Sequence, residues 1–212
     1  MPTVEEIMVA PPAQGTIVDP MAWFETPGPF ELEIGCGKGG FLLSRAQARP
    51  NVRLLGIEWA NKYYRYCADR MARRRISNVR VMRTDAKVFV MHHLPSMSLS
   101  ALHLYHPDPW PKKRHHKRRI VQADFIDAVA RVLVVGGRWL IQTDHAEYFD
   151  RMQRAIARCE GLSSVPWELG EYDVAPDWGG TNYEIKYTRE GRPIYRAAYA
   201  KTAHSDAASL VS

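Results

Sequence analysis

The chain has 212 residues, with 29 lysines and arginines against 23 aspartates and glutamates and a formal net charge of +6. That length suits one α/β domain with short arms and a core of its own, which needs no disulfide framework or structural metal, and the basic balance favours a polyanionic partner. Cys36, Cys67 and Cys159 are odd in number, widely spaced and form no Cys-x-x-Cys pair, so the composition argues against a disulfide scaffold or cysteine zinc site and for a reducing cytoplasmic setting.

Taken in order, residues 1–29 carry six prolines (Pro2, Pro11, Pro12, Pro20, Pro27 and Pro29) and read as an irregular arm with a short turn near Trp23 and Phe24. Glu5 and Glu6, with no apolar run behind a basic stretch, do not look like a signal peptide. Residues 30–34 read as a first strand, 35–40 as a glycine-rich turn and 41–48 as a helix. A second strand follows at 52–57. Ala60, Tyr63, Tyr64, Cys67 and Met71 then recur at helical spacing, which predicts one apolar helix face. Further strands are expected at 79–82, 100–105 and 139–142. Phe125, Val129, Val132 and Leu133 mark a helix that Gly136 and Gly137 should end. Phe149, Met152 and Ile156 mark another. A helix around 181–189 and a strand around 194–199 complete the pattern, and residues 202–212 should fray. The longest clean apolar run, 132–135, is far too short to span a bilayer.

Strands alternating with helices predict a largely parallel sheet covered on both faces, with ligands outside the carboxyl ends of the strands. The residues after each strand are therefore the informative ones. After the first stand Glu33 and the loop of Gly35, Gly37, Gly39 and Gly40, where glycines permit a tight turn and close ligand approach. Dinucleotide sites use a similar loop, but a carboxylate at Glu33 is unfavourable beside phosphates. It suits the ammonium group of S-adenosylmethionine. After the second strand, Glu58 can accept from both hydroxyls of a ribose, a feature that nicotinamide and methyl-donor sites share. After the third, Asp85 can accept from the exocyclic amine of adenine while Ala86 leaves room for the ring; Asp85 can equally be a helix cap.

The fourth strand leads into Tyr105-His106-Pro107-Asp108-Pro109-Trp110-Pro111, where three prolines stiffen the backbone around one acid and one tryptophan. Directly behind it come Lys112, Lys113, Arg114, His115, His116, Lys117, Arg118 and Arg119, a dense positive run suited to phosphates. None of the histidine pairs has the spacing of a familiar zinc site with a third ligand nearby, so no metal is expected.

Together these stretches resemble the bacterial tRNA (guanine-N7)-methyltransferases. The matching residues are 33–39, 56–58, Asp85-Ala86, 107–115 and 117–119, then Thr143-Asp144, Thr181-Asn182-Tyr183-Glu184 with Lys186, and 191–195. The resemblance covers about residues 30–200, and its proline–acid–tryptophan loop with the basic tail is its most specific part. It implies a class I methyltransferase (Rossmann-like) fold over 30–201, a mostly parallel seven-stranded sheet with helices on both faces and a late antiparallel strand. It implies S-adenosyl-L-methionine held by Glu33, Gly35, Gly37, Gly39, Glu58, Asp85, Ala86 and Asp108. Lys112, Asp144, Thr181, Asn182, Tyr183 and Glu184 are expected to approach the substrate, and 114–119 to contact RNA. The implied substrate is guanosine 46 in the variable loop of tRNA. Two features depart from the family pattern: His106 stands where an aromatic residue or serine is common, and the arm is acidic and proline-rich.

Guanine N7 carries a lone pair and no proton, so its methylation needs alignment more than a base. Asp108 is therefore expected to position and stabilise, and Trp110 either to stack on the base or to pack. A methyltransferase of another RNA or a small acceptor would share the cofactor residues but leave the basic run idle. A non-catalytic RNA-binding protein with a vestigial pocket would leave the four acids unexplained, and Glu33 disfavours an oxidoreductase.

Overall fold

The structure, a computed structural model, describes residues 2–167 and 190–203. Its centre is an eight-stranded sheet. In chain order the strands are β1 (Met8–Val9), β2 (Phe30–Ile34), β3 (Arg53–Ile57), β4 (Val79–Met82), β5 (Leu99–Tyr105), β6 (Leu133–Thr143), β7 (Leu162–Val165) and β8 (Tyr195–Lys201). Their spatial order is β1-β4-β3-β2-β5-β6-β8-β7. All neighbours are parallel except β8, which runs antiparallel to both β6 and β7. The expected fold class and its late antiparallel strand are therefore present.

Every residue of β2 and β3 is buried, as a central parallel strand requires. Among the described residues six helices accompany the sheet: α1 (Val4–Ile7), α2 (Gly40–Ala48), α3 (Asn61–Arg73), α4 (Ala86–His92), α5 (Ala123–Val132) and α6 (Ala146–Ile156). One core joins Leu32, Leu102, Phe125, Val129 and Trp139, and a second joins Leu42, Leu54, Cys67, Met71 and Val81.

Four differences from the sequence reading have physical causes. The arm is tied down in part: Thr3 and Glu6 form a reciprocal capping box on α1, Ile7 is fully buried, and Met8–Val9 adds an eighth strand beside β4. Second, α5 stops at Val132, and Gly136 and Gly137 lie inside β6 instead of ending a helix. There β6 runs ahead of β5 between the Leu99–Leu133 and Ala101–Arg138 pairs. Gly136 takes φ 77°, and a Cβ on Gly137 would stand 2.8 Å from the Val134 carbonyl oxygen. Third, Tyr64, Cys67, Ala68 and Met71 form the buried face of α3, while Tyr63 points outward. Fourth, β7 buries only Leu162, exposes both of its serines and had no apolar run to announce it. The expected helix around 181–189 lies outside the described residues.

Candidate active site

The strand order turns at β2, with β3 on one side and β5 on the other, so the loops leaving these strands part and open a crevice. A cavity of about 600 Å³ occupies it. Its walls come from the carboxyl ends of β2, β3, β4 and β5, and include Glu33, Gly35, Gly37, Glu58, Asp85, Ala86 and Asp108. The topology thus brings together the sequence-predicted cofactor residues, apart from Gly39, from four separate stretches of chain.

The glycine loop is fastened to β3. The Gly35 and Cys36 amides both donate to the Ile57 carbonyl, at 2.8 and 3.1 Å, and the Gly37 amide donates to Glu58 Oε2 at 2.9 Å. Gly39 begins α2 at φ 68°, and a Cβ there would stand 2.4 Å from Cys67 Sγ, so both conformation and space demand glycine. Gly39 therefore supports the cavity from behind its wall. Glu58 does more than the sequence suggests. Its Oε1 also accepts from the Ala60 amide at 2.7 Å, so one carboxylate joins the glycine loop to the start of α3 while facing the cavity.

Glu33 is 4% exposed. Burial, reinforced by the charge of Glu58, pushes its carboxyl up to about 8. Its Oε2 is buried and finds no hydrogen-bond partner among the described residues. Such an acid is costly unless a cationic or proton-donating ligand meets it. Asp85 combines both roles left open by the sequence: Oδ1 accepts from the Val88 amide at 3.1 Å and caps α4, while the residue lines the cavity.

The proline loop follows β5. His106 and Trp110 take left-handed backbone, φ 50° and 41°, and bracket Pro107-Asp108-Pro109. Non-glycine residues are uncommon there and such strain concentrates at functional loops. Asp108 is exposed at the cavity mouth. The basic run does not trail into solvent. It forms a 3-10 turn over Lys113–Arg118 and folds back, so that the Arg118 guanidinium lies 4.9 Å from the Trp110 ring centre and lines the same cavity. Arg114 and Lys117 are exposed, and His115 and His116 half-buried.

Arg119 contradicts its expected RNA contact. It is 1% exposed, donates from Nε to the Pro109 carbonyl at 2.7 Å, and pairs through both terminal nitrogens with Glu147 at 3.1 and 2.6 Å. Buried and bonded through Nε and both terminal nitrogens, it anchors the loop.

Of the substrate-side residues, Lys112 is exposed beside the 3-10 turn, outside the cavity walls. Asp144 follows β6, with Oδ2 3.2 Å from Arg192 Nη1 and Oδ1 3.7 Å from His106 Nδ1. Thr181, Asn182, Tyr183, Glu184 and Lys186 lie outside the described residues. Among the described residues no three or more His, Cys, Asp or Glu side chains stand together as a metal site.

Sequence reasoning passed over several cavity residues: Lys38, Trp59, Tyr63, Thr84, Tyr105 and His106. Their signal was position alone: Tyr105 ends β5, His106, Trp59 and Thr84 lie within two residues of a strand end, and Lys38 and Tyr63 follow in the glycine loop and the first turn of α3. Behind Tyr105 runs a buried polar chain. The Tyr105 hydroxyl lies 2.9 Å from His103 Nδ1, His103 Nε2 lies 3.0 Å from Glu31 Oε2, and Arg45 donates to Glu31 at 3.0 and 2.6 Å. Burial alone would raise Glu31, but bonds from His103 and Arg45 outweigh it and hold the carboxyl at about 2. Burial likewise lowers His103 despite Glu31. A neutral imidazole donating from Nε2 to an ionised Glu31 and accepting the tyrosine proton at Nδ1 satisfies every partner.

A doubly wound sheet with an acid at the end of each of its first three central strands, and a stiff acidic loop after the fourth, defines a class I methyltransferase. The antibiotic-resistance methyltransferase Kmr shares that fold, with a TM-score of 0.55 at 16% identity over 88% of this chain and 91% of its own. A family model described as "Putative methyltransferase" matches residues 27–197. A tRNA (guanine-N(7)-)-methyltransferase of Geobacter metallireducens is 34% identical over 205 residues, 93% of each chain. One from Myxococcus xanthus is 36% identical over 195 residues, 90% of this chain and 92% of its own. The chain belongs to the tRNA (guanine-N(7)-)-methyltransferase family.

Proposed function

We propose that this protein methylates N7 of guanosine in tRNA, giving 7-methylguanosine, and that the target is guanosine 46 of the variable loop. Membership of the family supports the reaction and the tRNA substrate. The position within the loop rests on the likeness of the proline–acid–tryptophan stretch and its basic tail to the family pattern. The observation that carries the reading is the meeting at one cavity of the unpartnered buried Glu33 with the Asp108 loop and Arg118.

The residues present fit S-adenosyl-L-methionine, which supplies an electrophilic methyl group when bound. Glu33 Oε2 suits its ammonium group, Glu58 its ribose, and Asp85 with Ala86 its adenine. Gly35 and Gly37 let it lie against the backbone.

Because N7 has no proton to lose, the protein needs no general base there. Its task is to hold the base within roughly 3–3.5 Å of the methyl carbon, which alone supplies up to about 7–11 kcal/mol. Asp108, fixed between two prolines, stabilises the purine as it gains positive charge. Lys112, Asp144, Thr181, Asn182, Tyr183 and Glu184 bind the guanine and its neighbours. Arg114, His115, His116, Lys117 and Arg118 contact phosphates and make binding salt-dependent. Residues 30–201 carry the activity. No helix among the described residues is long and apolar enough to cross a membrane, and a tRNA substrate together with three free cysteines supports a cytoplasmic setting.

The position is tested with two transcripts of one tRNA, one carrying guanosine and one adenosine at position 46. Methylation of the first alone is expected. Equal methylation of both would place the target elsewhere.

A further inference from the structure

The basic run flanks the cavity on the β5 side. The β3 side carries a second group of aromatic and cationic side chains that the reaction does not use. Trp59 precedes α3 and is 68% exposed, while Tyr63 and Tyr66 on the helix are 41% and 45% exposed. Such rings are normally covered, and here they share one rim with cations. Arg83 donates to the Trp59 carbonyl at 3.1 Å with its guanidinium 5.9 Å from the Trp59 ring centre. Lys38 Nζ lies 5.9 Å from the Tyr66 ring centre, and Arg70 donates to the Lys38 carbonyl at 3.2 Å.

Along α3 the spacing of Lys62, Tyr66, Arg70 and Arg73 keeps these side chains on neighbouring parts of the solvent side, with Arg65 alongside. The helix's one acid, Asp69, is tied to Arg73 at 2.5 Å, so the face is cationic. Trp59, Tyr63 and Lys38 form its inner edge and also line the cavity; Lys62, Arg65 and Tyr66 lie outside the cavity walls. Alternating rings and cations beside a groove are what an unpaired nucleic-acid strand recognises, with bases stacked on the rings and phosphates held by the cations.

We infer that the solvent face of α3 is a second tRNA-contact surface. It takes unpaired nucleotides next to the target guanosine, stacking a base on Tyr66 and holding phosphates at Lys62 and Arg65. The RNA then straddles the cavity mouth, gripped by α3 on one flank and by 114–118 on the other. This inference rests on the proposed tRNA substrate.

The test uses the full chain and unmodified tRNA transcript, with Tyr66→Ala, Tyr66→Phe and the double variant Lys62→Glu/Arg65→Glu. Binding of tRNA is measured across a salt series, binding of S-adenosylmethionine by calorimetry, and the melting temperature and sedimentation of each variant alongside. Tyr66→Ala should weaken tRNA binding about ten-fold while Tyr66→Phe retains it, as loss of one stacked base predicts. The charge-reversed variant should lower the slope of log affinity against log salt by about 1 to 2. Cofactor affinity and melting temperature should stay at the values of the unaltered protein. If all α3 variants bind tRNA as the unaltered protein does while Lys117→Ala and Arg118→Ala weaken it, the α3 face is no RNA surface and the inference fails with the function intact. An equal loss of cofactor affinity would assign the face to the cofactor site instead, and a change in oligomeric state with tRNA affinity unchanged would make it a protein contact. Failure of the unaltered protein to bind tRNA would overturn this inference and the proposed function together.

Discussion

Arg119 Nη2 sits 2.6 Å from Glu147 Oε2 while its Nε donates to the Pro109 carbonyl at 2.7 Å, so one buried guanidinium ties the proline loop to the start of α6. The bond from Arg119 also holds the Glu147 carboxyl below the usual carboxylate range. Glu147 is half exposed and can rehydrate if its partner is lost, so Arg119→Ala should cost about 2 kcal/mol of stability rather than the larger penalty of a stranded buried charge. It should also lower kcat by loosening Asp108. The salt dependence of tRNA binding should not change, whereas Arg118→Ala should flatten it. Denaturant unfolding with salt-series binding checks both; a flattened slope for Arg119→Ala would return that residue to the RNA surface.

Glu33 makes cofactor binding depend on pH. Its folded value, about 8, lies above that of an unfolded carboxyl, so the empty protein binds the extra proton when folded. Its contribution to stability is present below about pH 4.5 and is lost as pH rises through about 8. Glu33→Gln should therefore stabilise the empty protein by up to about 4 kcal/mol more at pH 8.5 than at pH 4.5. The ionised form is the one that suits an ammonium group, so cofactor binding at pH 7 should release close to one proton from Glu33 and tighten between pH 6 and 7.5. Calorimetry in two buffers of different ionisation enthalpy measures the release. Glu33→Gln should bind more weakly and lose that proton.

At Asp85 a single substitution separates two roles. Serine keeps a side-chain oxygen for capping α4 but removes the carboxylate from the cavity wall. Asp85→Ser should hold stability within about 0.5 kcal/mol, because both residues cap well. Cofactor affinity should fall about ten-fold, the scale of one charge-assisted hydrogen bond. Loss of stability with unchanged affinity would leave Asp85 as a cap alone.

Asp108→Asn keeps the size of the side chain and removes its charge. If Asp108 acts on the charge that develops in the purine, kcat should fall about a hundred-fold with little change in cofactor affinity. Unchanged kcat in Asp108→Asn would leave Asp108 as a positioning residue whose charge the reaction does not use.

Much of this was legible because each cavity acid sits where a strand ends. Phe30–Ile34 and Arg53–Ile57 are apolar enough to read as buried strands, so Glu33 and Glu58 could be placed at the carboxyl end of the sheet before any contact was known. What stayed hidden was decided by tertiary packing. Arg119 looks like its neighbours in the basic run, and only the fold brings Glu147 to it. Tyr63 has the spacing of the buried α3 face but lies just beyond its edge. Gly136 and Gly137 carry the signal of a helix stop, yet serve an irregularity between β5 and β6. Strand β1 is two residues long and gains its place from pairing with β4, which local sequence does not announce.

The most direct test of the central claim is transfer of labelled methyl groups from S-adenosylmethionine to unmodified tRNA, followed by digestion and nucleoside analysis. The account predicts label in 7-methylguanosine, strongly reduced with Asp108→Asn. Label in another nucleoside, or none in tRNA from a protein that binds the cofactor, would contradict it.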